Sequence, residues 1–503
     1  MAQITHSVLR VNKKEVFDMM LNQSESIVVI RNDKAISYPV NNRFHPDKKY
    51  PELTVNETDS SNKVYGMLRD LLIDLRLDSK NINTSKWNPF AEFINPGMNV
   101  FIKPNTVAHE HPGKKDLFSI IVHPSVVRPV LDYVCLALRG KGTITIGDSQ
   151  IYYSDFDKML LNSGLGELLN WYKNQTTIPI TCFDLRLDRA KRSYLYGRWD
   201  REKIEHDPLG YQNVDVGEYS RFVGMDSSRL RIAVASYKKT VKYHSDGRHE
   251  YVIPRSFLKA DAVINIAKLK THRRTAITLG LKNYMGIPAC KACVPHYITG
   301  SSIEGGDQYI YPSFRKRIAT FLHDTIQSSR YMPVKLVCAV TKKLLWNTHR
   351  IIPFKDKVYE AMWYGNDTLW RTLADLNRIV MYADKEGRIR DTVQRKQLVI
   401  VDGIVGGEGN GPLVCDPVKS GTMIAGFSPV AVDTVAATAM GFDCTKIPLI
   451  SKSFDISCSD IPLFRGKSED LHLFHNGLKM DLKQFGTNFN LNFKAHPQWE
   501  GHV

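Results

Sequence analysis

The sequence predicts an α/β protein with two lobes of mostly parallel sheet joined by a helical connection. Three observations carry that prediction. Apolar runs of strand length that end in polar residues recur at 99–105 (NVFIKPN), 260–272 (ADAVINIAKLKTH) and 396–402 (KQLVIVD). Residues 123–140 (HPSVVRPVLDYVCLALRG) have the apolar spacing of a helix packed on a sheet and lead into TITIGD at 143–148, so strand, helix and strand follow one another. Such a unit implies a parallel pair with a right-handed crossover, and ligands of these sheets gather at the carboxyl ends of strands. Third, 503 residues that are 43% hydrophobic and 24% charged can fill about two or three domains. That composition excludes disordered, collagen-like and disulfide-scaffold chains.

Residues 1–95 read as an N-terminal extension packing on the core, with a strand at 26–30 (SIVVI) and a helix over 64–77. Residues 1–20 lack the succession of basic stretch, apolar run and small-residue cleavage site that marks a secretory leader. No window offers about 18 uninterrupted apolar residues. The chain is therefore expected to be soluble and cytoplasmic, with no membrane span. Eight scattered cysteines (135, 182, 290, 293, 338, 415, 444 and 458) suit free thiols in a reducing compartment.

Residues 96–312 form the first lobe. In its helix Pro129 comes early enough to be tolerated and Gly140 provides the stop, while the turn-rich stretch 186–255 is expected as hairpins or irregular chain. A turn or short helix with Lys282 and Asn283 follows the 260–272 strand. Residues 313–390 read as the helical connection and 391–503 as the second lobe and C-terminal tail. There a strand ends at Asp402 and opens into a glycine-rich loop. Ser428 and Pro429 then start a helix that Gly441 ends, a capping hydroxyl before proline at the first helical position.

The 68 Lys and Arg outnumber the 52 Asp and Glu, giving +16. A field of that sign attracts nucleic acid, acidic membrane surfaces or anionic metabolites. Lys268, Lys270, His272, Arg273, Arg274, Lys282 and Lys291 crowd together beside Asn265, Thr271, Thr278 and Asn283. Cations with amides and hydroxyls after a buried strand are what an anion site requires, the first supplying charge and the others orientation. Histidine changes protonation near neutrality or ligates metal, and a desolvated lysine serves as base, Schiff-base former or cofactor tether, which singles out His272 and Lys282.

Cys290, Cys293 and His296 form C-x-x-C-x-x-H, three soft ligands for zinc, nickel or iron, with ordinary loop cysteines as the alternative. The GGEGNGP run at 406–412 has backbone freedom to cradle an anion but lacks the Lys-Ser/Thr of a P-loop. Within and beside it, Asp402 and Glu408 would be an acid-base pair or hydrogen-bond anchors, and Gly409 and Asn410 would touch substrate. HSDGRHEY at 244–251 is either an acid-base or metal cluster or a hairpin turn. Serine-hydrolase elbows and H-E-x-x-H helices are missing.

Taken together, VFIKPN, HPSVVRPVLDYV, GDS, DAVINIAKLKTH with LGLKNYMGI, PHYITGSSIEGGDQY, VDGIVGGEGNGPL and SPVAVDTVAATAMGFD resemble the domain of unknown function 362 family, over about residues 98–450. A more distant likeness is to the nickel-pincer lactate racemases, two-domain α/β enzymes with a histidine and a lysine ten positions apart. His272 and Lys282 have that separation, and His296 stands near the place of that family's nickel-binding histidine. The likeness implies a lysine-tethered cofactor on Lys282 and a reacting carbon near His272. Where that family has another catalytic histidine, this chain reads Gly147, Asp148, Ser149, so two imidazoles flanking a substrate carbon are not implied.

The expected function is therefore an enzyme acting on a small anionic metabolite (hydroxy acid, sugar acid or phosphate ester) in a cleft between the lobes, by isomerase-like acid-base or cofactor-assisted chemistry. Lys103, Lys270 and Arg273 would hold the anion, with Asn105, Asp148, Ser149 and Asn283 at the same strand ends. A divalent metal or a lysine-tethered organic cofactor are the cofactor classes these residues admit. Nucleic-acid binding, and metal or redox work by the cysteine pair, are the alternatives.

Overall fold

A computed structural model describes residues 25–41, 43–192, 199–455 and 461–503; the stretch read for a leader, 1–20, and Cys458 lie outside them. Ten strands share one sheet: β1 (Ile27–Asn32), β2 (Asn99–Pro104), β3 (Thr143–Asp148), β4 (Ile180–Asp184), β5 (Ala262–His272), β6 (Ala276–Thr278), β7 (Lys396–Asn410), β8 (Val414–Gly426), β9 (His472–His475) and β10 (Leu478–Met480). Across the sheet the order is β10-β9-β1-β8-β7-β5-β2-β3-β4, with β6 folded back on the end of β5. The run β4-β3-β2-β5-β7 is parallel throughout. β8 is antiparallel to both β7 and β1, and β9 is parallel to β1. Strands expected in the two lobes are thus neighbours, since β5 pairs with β7 from Ala262–Lys396 to Lys268–Asp402. The reason is burial: all 11 residues of β5 are buried, which only an inner strand covered on both faces can satisfy.

The period of two in each strand divides the core into two layers. Val28 and Ile30 face one layer and Val29 the other; Val399 and Val401 alternate in the same way with Leu398 and Ile400. One face is covered by α1 (Lys63–Asp74) and α2 (Pro124–Leu138). The other is covered by α5 (Leu369–Tyr382) and α6 (Pro429–Met440). Between them in sequence, α3 (Phe314–Ser328) and α4 (Met332–Asn347) begin the helical connection. α2 ends at Leu138 with Arg139 left-handed at φ 48, one residue before the expected stop at Gly140. α6 starts and stops as its residues require: Ser428 Oγ accepts from the Ala431 N–H, Pro429 is the first helical residue and Gly441 has φ 90. No helix among the described residues is long and apolar enough to cross a membrane.

The glycine-rich run is not a loop. β7 continues through it to Asn410, paired with β8 from Gly406–Val418 to Asn410–Val414. Glycine there serves close packing: a Cβ on Gly407 would stand 2.3 Å from the Ser119 carbonyl oxygen, and one on Gly411 2.0 Å from that of Thr271.

Candidate functional site

β2 and β3 stop at Pro104 and Asp148, but β5 runs on to His272 because β6 pairs with its last residues, His272 opposite Ala276 and Lys270 opposite Thr278. This overhang carries a basic strand end past the carboxyl edge of the sheet. A cavity of about 410 Å³ opens there. Asn105, Asp148, Ser149, Lys270, His272, Arg273, Lys282, Asn283 and His296, all expected site residues, line it together with Arg274, Thr278 and Lys291 from the basic cluster.

Five cations and two carboxylates, Asp148 and Glu360, border this space. Most of the cations are anchored. Lys270 Nζ donates to the carbonyls of Ile120 (2.6 Å) and Pro412 (3.2 Å), and Lys291 Nζ to the Ser149 carbonyl (2.7 Å) and Oγ (2.8 Å). Arg274 Nε donates to the Glu360 carbonyl at 3.0 Å. Lys282 Nζ has no hydrogen-bond or ion-pair partner among the described residues. Burial, reinforced by the charges of Lys270, Arg274, Lys291 and Arg273, holds its amine down to about 7. Burial also lowers Lys270 and Lys291, each to about 8. Three buried polar atoms of lining residues, Asn105 Oδ1, Arg273 Nε and Thr278 Oγ1, lack partners among the described residues as well.

The two histidines are held in opposite tautomers. His272 Nδ1 accepts the Arg274 N–H at 3.0 Å, so a neutral ring carries its proton on Nε2. His296 Nδ1 must donate to the Val294 carbonyl at 2.8 Å, so its Nε2 is bare. Burial first, then Lys282 for His272 and Arg274 for His296, keeps both imidazoles well below their ordinary range and hence neutral.

Lys103 does not reach the cavity as an anion holder. It is fully buried behind Asp148, 2.8 Å from that carboxylate and 3.0 Å from the Pro104 carbonyl. The pair leaves no room at the neighbouring backbone, where a Cβ on Gly286 would stand 2.1 Å from Asp148 Oδ1. Asn283, although it lines the cavity, is committed to structure: its amide donates to Asn265 Oδ1 and to the carbonyls of Lys103 and Ile266.

Asp402 lies elsewhere, fully buried, taking Lys268 Nζ at 3.0 Å, the Tyr38 hydroxyl at 2.6 Å and the His123 N–H at 3.0 Å. Glu408 accepts the Lys494 N–H at 2.8 Å and is not a lining residue. Gly409 and Asn410 are consumed by β7–β8 pairing. The β7–β8 end therefore contributes Pro412 and Leu413 rather than an acid-base pair, because β7 turns those carboxylates to other partners.

The C-x-x-C-x-x-H run does not close on a point. Cys293 Sγ donates to the Cys290 carbonyl at 2.9 Å, while His296 turns to its own backbone. No three His, Cys, Asp or Glu side chains converge as a metal site among the described residues. His244 and His249 are structural: His244 Nε2 meets the Cys293 carbonyl at 2.9 Å, and the two rings approach at 3.4 Å.

Sequence reasoning missed Tyr152, Tyr153, Ile232, Val234, Met285 and Glu360 on the cavity wall. The tyrosines had a signal, since they follow the β3 end by four and five positions. Glu360 had none, because it arrives from the helical connection.

Residues 212–438 match the family profile described as Domain of unknown function (DUF362). That stretch is similar to the DUF362 family. It contains β5, β6, the Lys282 turn, α3 to α5, the β7–β8 pair and all but the last two residues of α6, whereas Asn105, Asp148, Ser149 and the tyrosines come from outside it. The cavity is thus built jointly by the stretch that matches the profile and the segment before it. No curated protein matches the chain. A structural-genomics crystal structure of a protein from Thermotoga maritima is 10% identical, covering 68% of this chain and 54% of that one with a TM-score of 0.26; the chain spans about half of that protein's length. Nothing found extends the likeness to the lactate racemases.

Proposed function

We propose that the protein is an enzyme acting on a small anionic metabolite, a hydroxy acid, sugar acid or phosphate ester, by acid-base chemistry in this cavity. The observation that carries the reading is the set of cavity groups without a partner among the described residues: the buried Arg273 Nε, Thr278 Oγ1 and Asn105 Oδ1, together with the Lys282 amine. Buried polar atoms in folded proteins are nearly always paired, so such a set at one wall calls for a polar ligand. Arg273 takes the anionic group, while Thr278 and Asn105 hold hydroxyls. Lys270 and Lys291 add charge in a site poor in water, where it acts strongly.

With its amine near 7, Lys282 is about half unprotonated at neutral pH. It accepts a proton from the substrate while His272 Nε2–H donates to the oxygen on which charge develops. The bare Nε2 of His296 supplies a second acceptor. Lys282 is also the residue fit to tether an organic cofactor, which would bring an electrophilic centre beside the anion.

Calorimetric titration with representative hydroxy acids, sugar acids and phosphate esters tests the reading, together with turnover by Lys282→Ala and His272→Ala proteins. We expect one class to bind and both variants to lose turnover. Folded variants that keep full activity on the identified substrate would overturn the assignment. Intact-mass measurement of the native protein checks for an adduct on Lys282.

A further inference from the structure

The helical hairpin formed by α3 and α4 is built differently from the rest of the molecule. α5 buries nearly all of its residues against the sheet, but α4 buries only Cys338. On α4, Val337, Val340 and Leu344 are 64%, 50% and 64% exposed, at a spacing that places them on one side of the helix. Phe314 and Phe321 form a similar stripe on α3 at 76% and 68%, and Ile351 just beyond α4 is 84% exposed. An apolar surface of this kind on a soluble face marks a docking site.

Its charge identifies the occupant. Between residues 313 and 357 ten Lys or Arg accompany two acidic residues, Asp324 and Asp356. Both acids are already used, Asp324 by Arg231 at 3.0 Å and Asp356 by Lys316 at 2.6 Å. Arg330, Lys343 and Arg350 are exposed among the apolar side chains. Two copies of this chain docked through the hairpin would bring like charges together. A bilayer bearing anionic headgroups instead neutralises the basic residues and takes up the apolar ones, the arrangement of helices that lie in a membrane interface. At 16 residues α4 is about 24 Å long, short of a span, so it would lie along the surface.

We propose that the α3–α4 hairpin docks the protein peripherally on an anionic phospholipid bilayer, with its exposed apolar stripes entering the headgroup boundary. Arg231, which binds Asp324 of α3, adjoins Ile232 and Val234 of the cavity wall, so docking would set the site close to the lipid surface.

Flotation of the full-length protein with phosphatidylcholine vesicles, with and without phosphatidylglycerol, tests this. Binding is expected only with phosphatidylglycerol and should weaken as salt rises. Lys343→Gln with Arg350→Gln should weaken partitioning roughly 25-fold, about fivefold for each charge. Val337→Ser with Leu344→Ser should abolish flotation without lowering the melting temperature, since both positions are exposed. The proposal is overturned by no binding, by equal binding to both vesicle types, or by a lipid-free dimer, seen in light scattering, that the serine variant disperses.

Discussion

The carboxyl group of Asp433 lies 2.7 Å from the backbone nitrogen of Gly280 and takes the Leu281 N–H at 3.0 Å. A side chain of α6 thereby caps the single helical turn, Gly280–Asn283, that presents Lys282 to the cavity. Asp433→Ala should leave these two buried N–H groups unpaired, at a cost of about 1–3 kcal/mol each. Burial raises the Asp433 carboxyl to about 8, so its contribution to stability is fully present below the ordinary carboxylate range and is lost as pH rises through about 8. Denaturant titrations across pH should therefore show the advantage of wild type over Asp433→Ala shrinking between about 4 and 8 and levelling above that.

An anion entering the cavity should draw protons in with it. Lys282 sits near 7, and Lys270 and Lys291 near 8. A bound negative charge raises all three, so at pH 8 binding is accompanied by proton uptake and affinity falls as pH rises. Calorimetry in buffers of different ionisation enthalpy measures the uptake. Equal heats in all buffers would refute this account of the cavity.

If Lys282 is the proton acceptor, kcat/KM should rise as pH rises through about 7 and fall again beyond about 8 as Lys270 and Lys291 lose charge. In a Lys282→Ala protein rescued by added small amines the lower limb should move from about 7 to the pKa of the amine used. A limb that stays near 7 whichever amine is used assigns it to another group.

Gly286→Ala should strike the Lys103–Asp148 pair. The added methyl would stand 2.1 Å from Asp148 Oδ1 and 2.7 Å from Lys103 Nζ, so the buried charges must separate. Breaking such a pair costs about 3–5 kcal/mol, and the midpoint of thermal unfolding should fall accordingly. A melting temperature unchanged from wild type would show that the pair can shift without cost.

Asp402 and Glu408 should separate cleanly in mutagenesis. Asp402→Ala strands the buried Lys268 ammonium and should destabilise by about 3–5 kcal/mol. Glu408→Ala removes an acceptor from the Lys494 N–H at the periphery and should leave turnover and binding close to wild type. A large loss of turnover in a stable Glu408→Ala protein would return that residue to the site.

Several elements were legible because their signal is local. Strand runs at 99–105 and 262–272, the helix over 124–138 and the Ser428–Pro429 start all follow from apolar period and capping chemistry read within about a dozen residues. The basic cluster at the end of β5 was legible for the same reason. The glycine run at 406–412 misled because glycine's small volume serves close packing as readily as it serves an open loop, and the residues that approach it, Ser119 and Thr271, are distant in sequence.

By itself the sequence determined the α/β class, the strand ends where polar groups collect, and the presence of His272 and Lys282 ten residues apart. Tertiary structure alone decided which of those polar groups meet. Charge partners are chosen by strand register: Lys268 lies opposite Asp402 and is neutralised, whereas Lys282 stands on a turn and has no ion-pair partner among the described residues. Register, and the hydrogen bonds that set each imidazole's tautomer, depend on contacts between remote segments, which no local pattern of residues encodes.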